Sequence, residues 1–136
     1  MNVLAINAML AGPGFVAWLG EGARFLACDG VQPGEGGPLT NVLAAAVLAV
    51  PAGTVDAGAL RLVQADTAGD LVLATGVPTW GRIVRADGVW AIDYSVSGPS
   101  GAGQVKIVVQ NPPEGDPEAK LYQGGTFFIG EVVIGG

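Results

Sequence analysis

The sequence predicts an all-β protein, a sandwich- or jelly-roll-like β domain with one short N-terminal helix. Three observations carry that expectation. First, 23 Gly and 9 Pro divide 136 residues into short apolar runs separated by turn signals. Second, Thr79–Arg85 and Val89–Val96 flank Asp87-Gly88, a strong hairpin signal. Third, Trp90, Ile92, Tyr94 and Val96 alternate with Ala91, Asp93 and Ser95. Period two sends large and polar side chains to opposite faces of a strand. The length is that of one domain, able to bury a core without cross-links. Residues 1–22 read as the N-terminal helix and a Gly-rich turn, and residues 23–136 as the β core.

Taken in order, Val3–Ala11 holds Leu, Ala, Ile and Met and predicts the helix, with Gly12-Pro13-Gly14 as its stop. Ala23–Cys28 predicts a strand ended by the turn pair Asp29-Gly30. Thr40–Val50 is ambiguous. Its three consecutive alanines favour helix, while its valines and flanking prolines favour a buried strand, which is the reading preferred. Ala59–Gln64 and Leu71–Thr75 read as a hairpin across the polar turn Asp66–Asp70. Gly98–Gly103 reads as a flexible hairpin loop, and Gln104–Gln110 as a strand with Val105, Ile107 and Val109 on one face. Asn111–Glu118 is an acidic, Pro-rich excursion. Thr126–Ile134 is the last strand, apolar on both faces: Phe127, Ile129 and Val133 against Phe128, Val132 and Ile134. Such a strand expects cover on both sides.

The charge balance narrows the function classes. Only 13% of residues are charged, six bases against twelve acids, for a net charge of −6. Ordinary domains carry about a quarter charged residues. The deficit predicts burial against other subunits, with Phe127, Ile129 and Val133 as the candidate subunit interface. The bases are dispersed, so no cationic stripe predicts direct nucleic-acid contact. An acidic surface also argues against anionic membranes. The charge-free stretches Met1–Gly20 and Gly36–Val55 are interrupted by Pro and Gly, and neither reads as a membrane span or a secretion signal.

Candidate chemistry is sparse. The chain has no His, which removes Ser-His and Cys-His pairs and the usual His-based zinc sites. Cys28 is the one cysteine and reads as a buried structural thiol. The loop Gly98–Gly103 lacks the following helix that a phosphate cradle needs. Glu114, Asp116 and Glu118 lie close enough in sequence for a hard cation, but prolines stiffen the segment, and a solvated acidic loop is the preferred reading. No metal, cofactor or catalytic residue is expected. Trp80 and Trp90 sit on the two arms of one hairpin, as candidate cross-strand neighbours and a candidate aromatic contact. Together with Trp18 they suggest, as an alternative function, a spike or fibre-head module that stacks a cell-surface glycan.

The whole-chain pattern also resembles a family of tailed-phage and prophage virion structural proteins. The matching segments are Gly30-Val31-Gln32-Pro33, Gly76-Val77-Pro78-Thr79-Trp80-Gly81-Arg82 running through Asp87-Gly88 to Ala91-Ile92-Asp93-Tyr94-Ser95-Val96, and Gly124-Gly125 before the terminal run. Only the Pro-Thr-Trp-x-Arg hairpin is at all specific, and Asn111–Lys120 is longer and more acidic than the family pattern. The resemblance implies a non-enzymatic virion component: capsid decoration or cement, neck or tail. It would be assembled in the host cytoplasm and bind its own copies, a trimer being favoured, together with a capsid or neck/tail protein.

Overall fold

A computed structural model describes residues 14–33, 37–56, 59–66, 68–109 and 115–132. It is nearly all β. Among the described residues one short helix, α1 (Gly14–Leu19), precedes eight strands: β1 (Arg24–Cys28), β2 (Val42–Asp56), β3 (Ala59–Gln64), β4 (Asp70–Leu71), β5 (Trp80–Val84), β6 (Trp90–Ser97), β7 (Val105–Val108) and β8 (Thr126–Val132). They form one mixed sheet in the order β3-β2-β1-β5-β6-β7-β8-β4. All pairs are antiparallel except β6 with β7. The sheet curls until Val72, just past β4, bridges back to Ala44 on β2. Its two sides therefore face each other across one core, like the layers of a sandwich.

That core follows from the alternation. Phe25, Ala27, Ile83, Ile92, Tyr94, Val96, Val105, Ile107 and Phe127 point inward and are buried. Phe25 stacks on Tyr94 with ring centroids 5.6 Å apart and meets Phe127 at 6.3 Å. Aromatic pairs of this kind add about 0.5–1.5 kcal/mol each beyond the area they bury. Gly81 lies opposite Tyr94 in the ladder. A Cβ there would come within 2.7 Å of both the Tyr94 ring and the Leu26 carbonyl oxygen, so the close approach of the ring requires glycine.

Several expectations are corrected. The helix expected at Val3–Ala11 lies outside the described residues. The helix that is described begins at Gly14, in the segment expected to form the Gly-rich turn. The ambiguous segment is a strand, and it runs on to Asp56 through Pro51. Pro51 falls where the register with β3 shifts between Leu48 and Gly53, a place where a sheet tolerates a missing donor. The turn at residues 66–69 does not make a hairpin. Asp66 accepts from the Gly69 and Ala68 amides, and the chain jogs, so that β3 and then Val72 both lie along β2 while β4 pairs with β8. The Asp87-Gly88 hairpin is present, with Gly88 at φ 86° and Arg85 bonded to Val89. Its arms place Trp80 opposite Ser95 and Trp90 opposite Val84, so the two tryptophans are not cross-strand neighbours. The strand buried along its whole length is β5, with all five residues covered.

Candidate functional site

The most organised polar cluster sits on the outer face of β5 and β6, under the loop that joins β1 to β2. Alternation sends Trp80 and Arg82 of β5 to that face, and the ladder sets Asp93 opposite Arg82. Arg82 donates from Nε to Asp93 Oδ1 at 2.6 Å and from Nη2 to Asp93 Oδ2 at 2.9 Å. This is the two-pronged geometry that suits a guanidinium and a carboxylate. Trp90 donates its indole N–H to the same Asp93 oxygen at 2.9 Å. The Arg82 guanidinium lies over the Trp80 ring, 5.3 Å from its centroid. The side chains of Arg82 and Asp93 are 8% and 5% exposed, so the pair is buried and its charges cancel in place.

The cluster holds the loop down. Trp80 donates its indole N–H to the Asp29 carbonyl at 3.0 Å and to Thr40 Oγ1 at 2.9 Å. Thr79 Oγ1 donates to the Gly30 carbonyl at 2.6 Å, and Arg82 Nη2 to the Gly37 carbonyl at 2.8 Å. Thr40 Oγ1 also donates to the Asp29 carbonyl. The Thr79-Trp80-x-Arg82 motif is thus a clamp on the segment that carries Gly30-Val31-Gln32-Pro33. Its donors end on loop oxygens or on Asp93, and the loop turns Val31 outward, 86% exposed. Trp80 is 1% exposed, which removes its ring from the surface as an aromatic contact, while Trp90 is half-buried.

A second cluster closes the seam of the curled sheet, and it centres on Gln64, a residue that no motif or period singles out. Gln64 Nε2 donates to Asp70 Oδ2 at 2.7 Å and to the Phe127 carbonyl at 3.1 Å, and Gln64 Oε1 accepts from the Ile129 amide at 2.9 Å. One side-chain amide thereby takes the two bonds that a neighbouring strand would make to residues 127 and 129. Outside this seam lies an exposed apolar stripe. Val47 on β2, Val63 on β3, Leu71 on β4 and Leu73 beyond it are 46%, 46%, 56% and 51% exposed.

The expected interface residues are redistributed. Phe127 is fully buried beside Phe25, Ile129 is half-buried against the core, and Val133 lies outside the described residues. Between Ile129 and Val132 the register against β7 shifts, so Val132 turns into the core as Phe127 does. Phe127 faces inward against Phe25, a correction to its expected place at a subunit interface, and the register shift explains why Val132 shares its side.

The carboxylates of the acidic excursion have separate partners. Asp116 accepts from the Tyr122 hydroxyl. Glu118 Oε1 accepts from the Ser100 amide at 2.7 Å and from Ser100 Oγ at 2.5 Å. Those two bonds, with the Lys106 charge, hold the Glu118 carboxyl below the ordinary carboxylate range. Glu114 lies outside the described residues, and among the described residues no three His, Cys, Asp or Glu side chains converge. The loop after β6 therefore clasps the chain's own carboxylate. Cys28 is fully buried, and burial pushes its thiol up to about 11. Among the described residues no helix is long and apolar enough to cross a membrane. Compared with protein-family models, curated proteins and solved structures, the chain matches none.

Proposed function

We propose that the chain is a non-enzymatic structural module of a tailed-phage virion, a capsid decoration (cement) or neck-associated component that binds its own copies and a major virion protein. The observation that carries the assembly reading is the stripe Val47, Val63, Leu71 and Leu73, four large apolar side chains about half exposed on adjoining strands. Contiguous apolar surface of this kind marks an interaction site. With 13% charged residues, the chain has little charge to surround it. The arrangement of the strongest polar groups supports the same reading, because Arg82, held by Asp93, and Glu118 each hold a loop in place. The virion assignment itself rests on the resemblance of the Pro78-Thr79-Trp80-x-Arg82 hairpin and its flanking segments. A glycan platform is less well supported, since Trp80 is buried under Arg82.

Sedimentation of the purified chain at micromolar concentration tests the assembly reading, with an oligomer expected and a trimer favoured. Val47→Lys with Leu73→Lys places charge on exposed positions and should dissociate it without unfolding the domain. A stable monomer over the whole concentration range would sink the proposal.

A further inference from the structure

Two strands that run parallel and pair side by side normally need a crossover of a dozen or more residues. Here β6 and β7 pair in parallel, Val96 with Val105 and Ser97 with Lys106, across Gly98–Gln104, a connection of seven residues. The fold-back is tightly stitched. The Gly101 amide donates to the Gly98 carbonyl at 3.1 Å and the Gly103 amide to Ser97 Oγ at 2.9 Å. A Cβ would come within 2.6 Å of the Ser97 side chain at Gly101 and within 2.5 Å of the Ser97 nitrogen at Gly103. Only glycine permits the path. From outside, Glu118 clasps the same loop through Ser100.

Beyond this connection, β7 and β8 pair with each other, but the ladders that tie them to the remaining strands are short. Two register pairs join β7 to β6, and two join β8 to β4. The rest of the seam is a reciprocal backbone pair between Gly76 and Leu121, the bonds of Val72 with Gly124 and Gly125, and the Gln64 side chain standing in for a strand at residues 127 and 129. The unit also brings Val105, Ile107, Leu121 and Phe127, all fully buried, into the core.

We infer that residues 105–132 exchange between copies of this chain: Gly98–Gln104 extends, and β7–β8 of one copy packs into the core and seam of a second. Exchange restores every contact of the closed domain between two chains, so the balance is set by the connection alone. Extending it relieves the glycine-dependent fold-back, and seven extended residues reach roughly 25 Å, enough to pass to a neighbour. The inference rests on the self-association proposed above and names its mode.

The test uses the full chain carrying Leu71→Cys and Thr126→Cys, at positions that are Cα partners across the β4–β8 ladder and both exposed. Cys28 stays buried and out of the reaction. After native oxidation of the oligomer, a non-reducing denaturing gel should show chains linked to one another, with the two single-substitution variants unlinked. An oligomer in which the disulfide between the two introduced thiols lies within one chain overturns exchange and leaves the assembly proposal standing. A native chain that is monomeric at every concentration overturns both. In a second arm, Glu118→Ala removes the clasp on the closed loop and should raise the exchanged fraction at least several-fold. An unchanged fraction counts against the inference.

Discussion

Strands β1, β2, β5 and β6 and strands β7, β8 and β4 build the two halves of one curled sheet, and they are joined in different ways. In the first half each of the neighbouring pairs β1–β2, β1–β5 and β5–β6 shares five register positions. In the second the pairs share two or three. The long ladders fix backbone positions well enough to bury an Arg–Asp pair and to anchor a loop on it. The short ladders leave the second half joined by isolated backbone bonds at Val72 and Gly76, by its apolar side chains and by one glutamine amide. Regular backbone pairing makes a buried charge tolerable, and its absence leaves positioning to side chains.

The largest effect that can test this contrast is removal of one partner of the buried pair. Asp93→Ala leaves the Arg82 guanidinium buried without its carboxylate and should cost about 3–5 kcal/mol in urea unfolding. Replacing both, with Arg82→Met and Asp93→Leu, should cost much less, because no unpaired charge remains. A loss under about 1 kcal/mol for Asp93→Ala alone would show that the first half does not depend on its polar network.

Alkali offers a second probe of the same half. The Cys28 thiol is raised from 9.0 to about 11 by burial, so the folded protein holds that proton more tightly than the unfolded chain. This contribution is complete below about pH 9 and is lost as pH rises through about 11, an effect of roughly 2–3 kcal/mol. Unfolding free energies of the native chain and of Cys28→Ala, measured from about pH 8 to about pH 11.5, should diverge in slope over that window. Parallel curves would mean that the thiol is not protected by the β1–β5 packing.

At the seam where β3 meets the second half, the corresponding change is Gln64→Leu. It keeps the bulk and removes the amide, leaving the Ile129 N–H, the Phe127 carbonyl and Asp70 without that partner. The expected loss is about 1–3 kcal/mol. Hydrogen exchange should quicken first at Ile129, while amides of β1 and β5 stay protected. Uniform acceleration over both halves would erase the distinction between them.

Much of the first half was legible in the sequence. Asp87-Gly88 and the alternation of Ile92–Val96 mark the hairpin, because turn chemistry and side-chain period are local properties, but a register shift at Ile83/Val84 puts Trp90 on the side of Asp93, against the expected period. The Arg82–Asp93 pair was within reach as well: opposite charges at nearly equal distances from a turn fall opposite each other. The same count separates Trp80 from Trp90, seven residues before Asp87 and three after. The second half resisted for a physical reason. The register shift in β8 leaves no local mark, so strict alternation separates Phe127 from Val132, two residues that share the core side. A parallel pair across seven residues departs from the usual crossover, and the Gly98–Gly103 segment read more naturally as a hairpin loop. Gln64 acts through residues more than 60 positions away, which composition and period do not encode.

The smallest predicted effect concerns the core side of the first half. Tyr94 belongs to β6, stacks on Phe25 of β1, and is fully buried. Its hydroxyl has no hydrogen-bond partner among the described residues, and burial holds its proton well above the ordinary phenol range. The ring and the hydroxyl therefore act in opposite directions. The ring fills the space over Gly81 and stacks on Phe25. The hydroxyl gave up water on folding, and an unpaired buried group of this kind costs about 1–3 kcal/mol. Tyr94→Phe keeps the ring and removes the cost, so the variant should be as stable as the native chain or more stable by about 1 kcal/mol, a rise in Tm of roughly 2–6 °C. A drop of more than about 1 kcal/mol would show that the hydroxyl is bonded in solution, and that the core of the first half has a polar component. A rise would confine that core to apolar contact, and polar positioning to the Arg82–Asp93 face and the Gln64 seam.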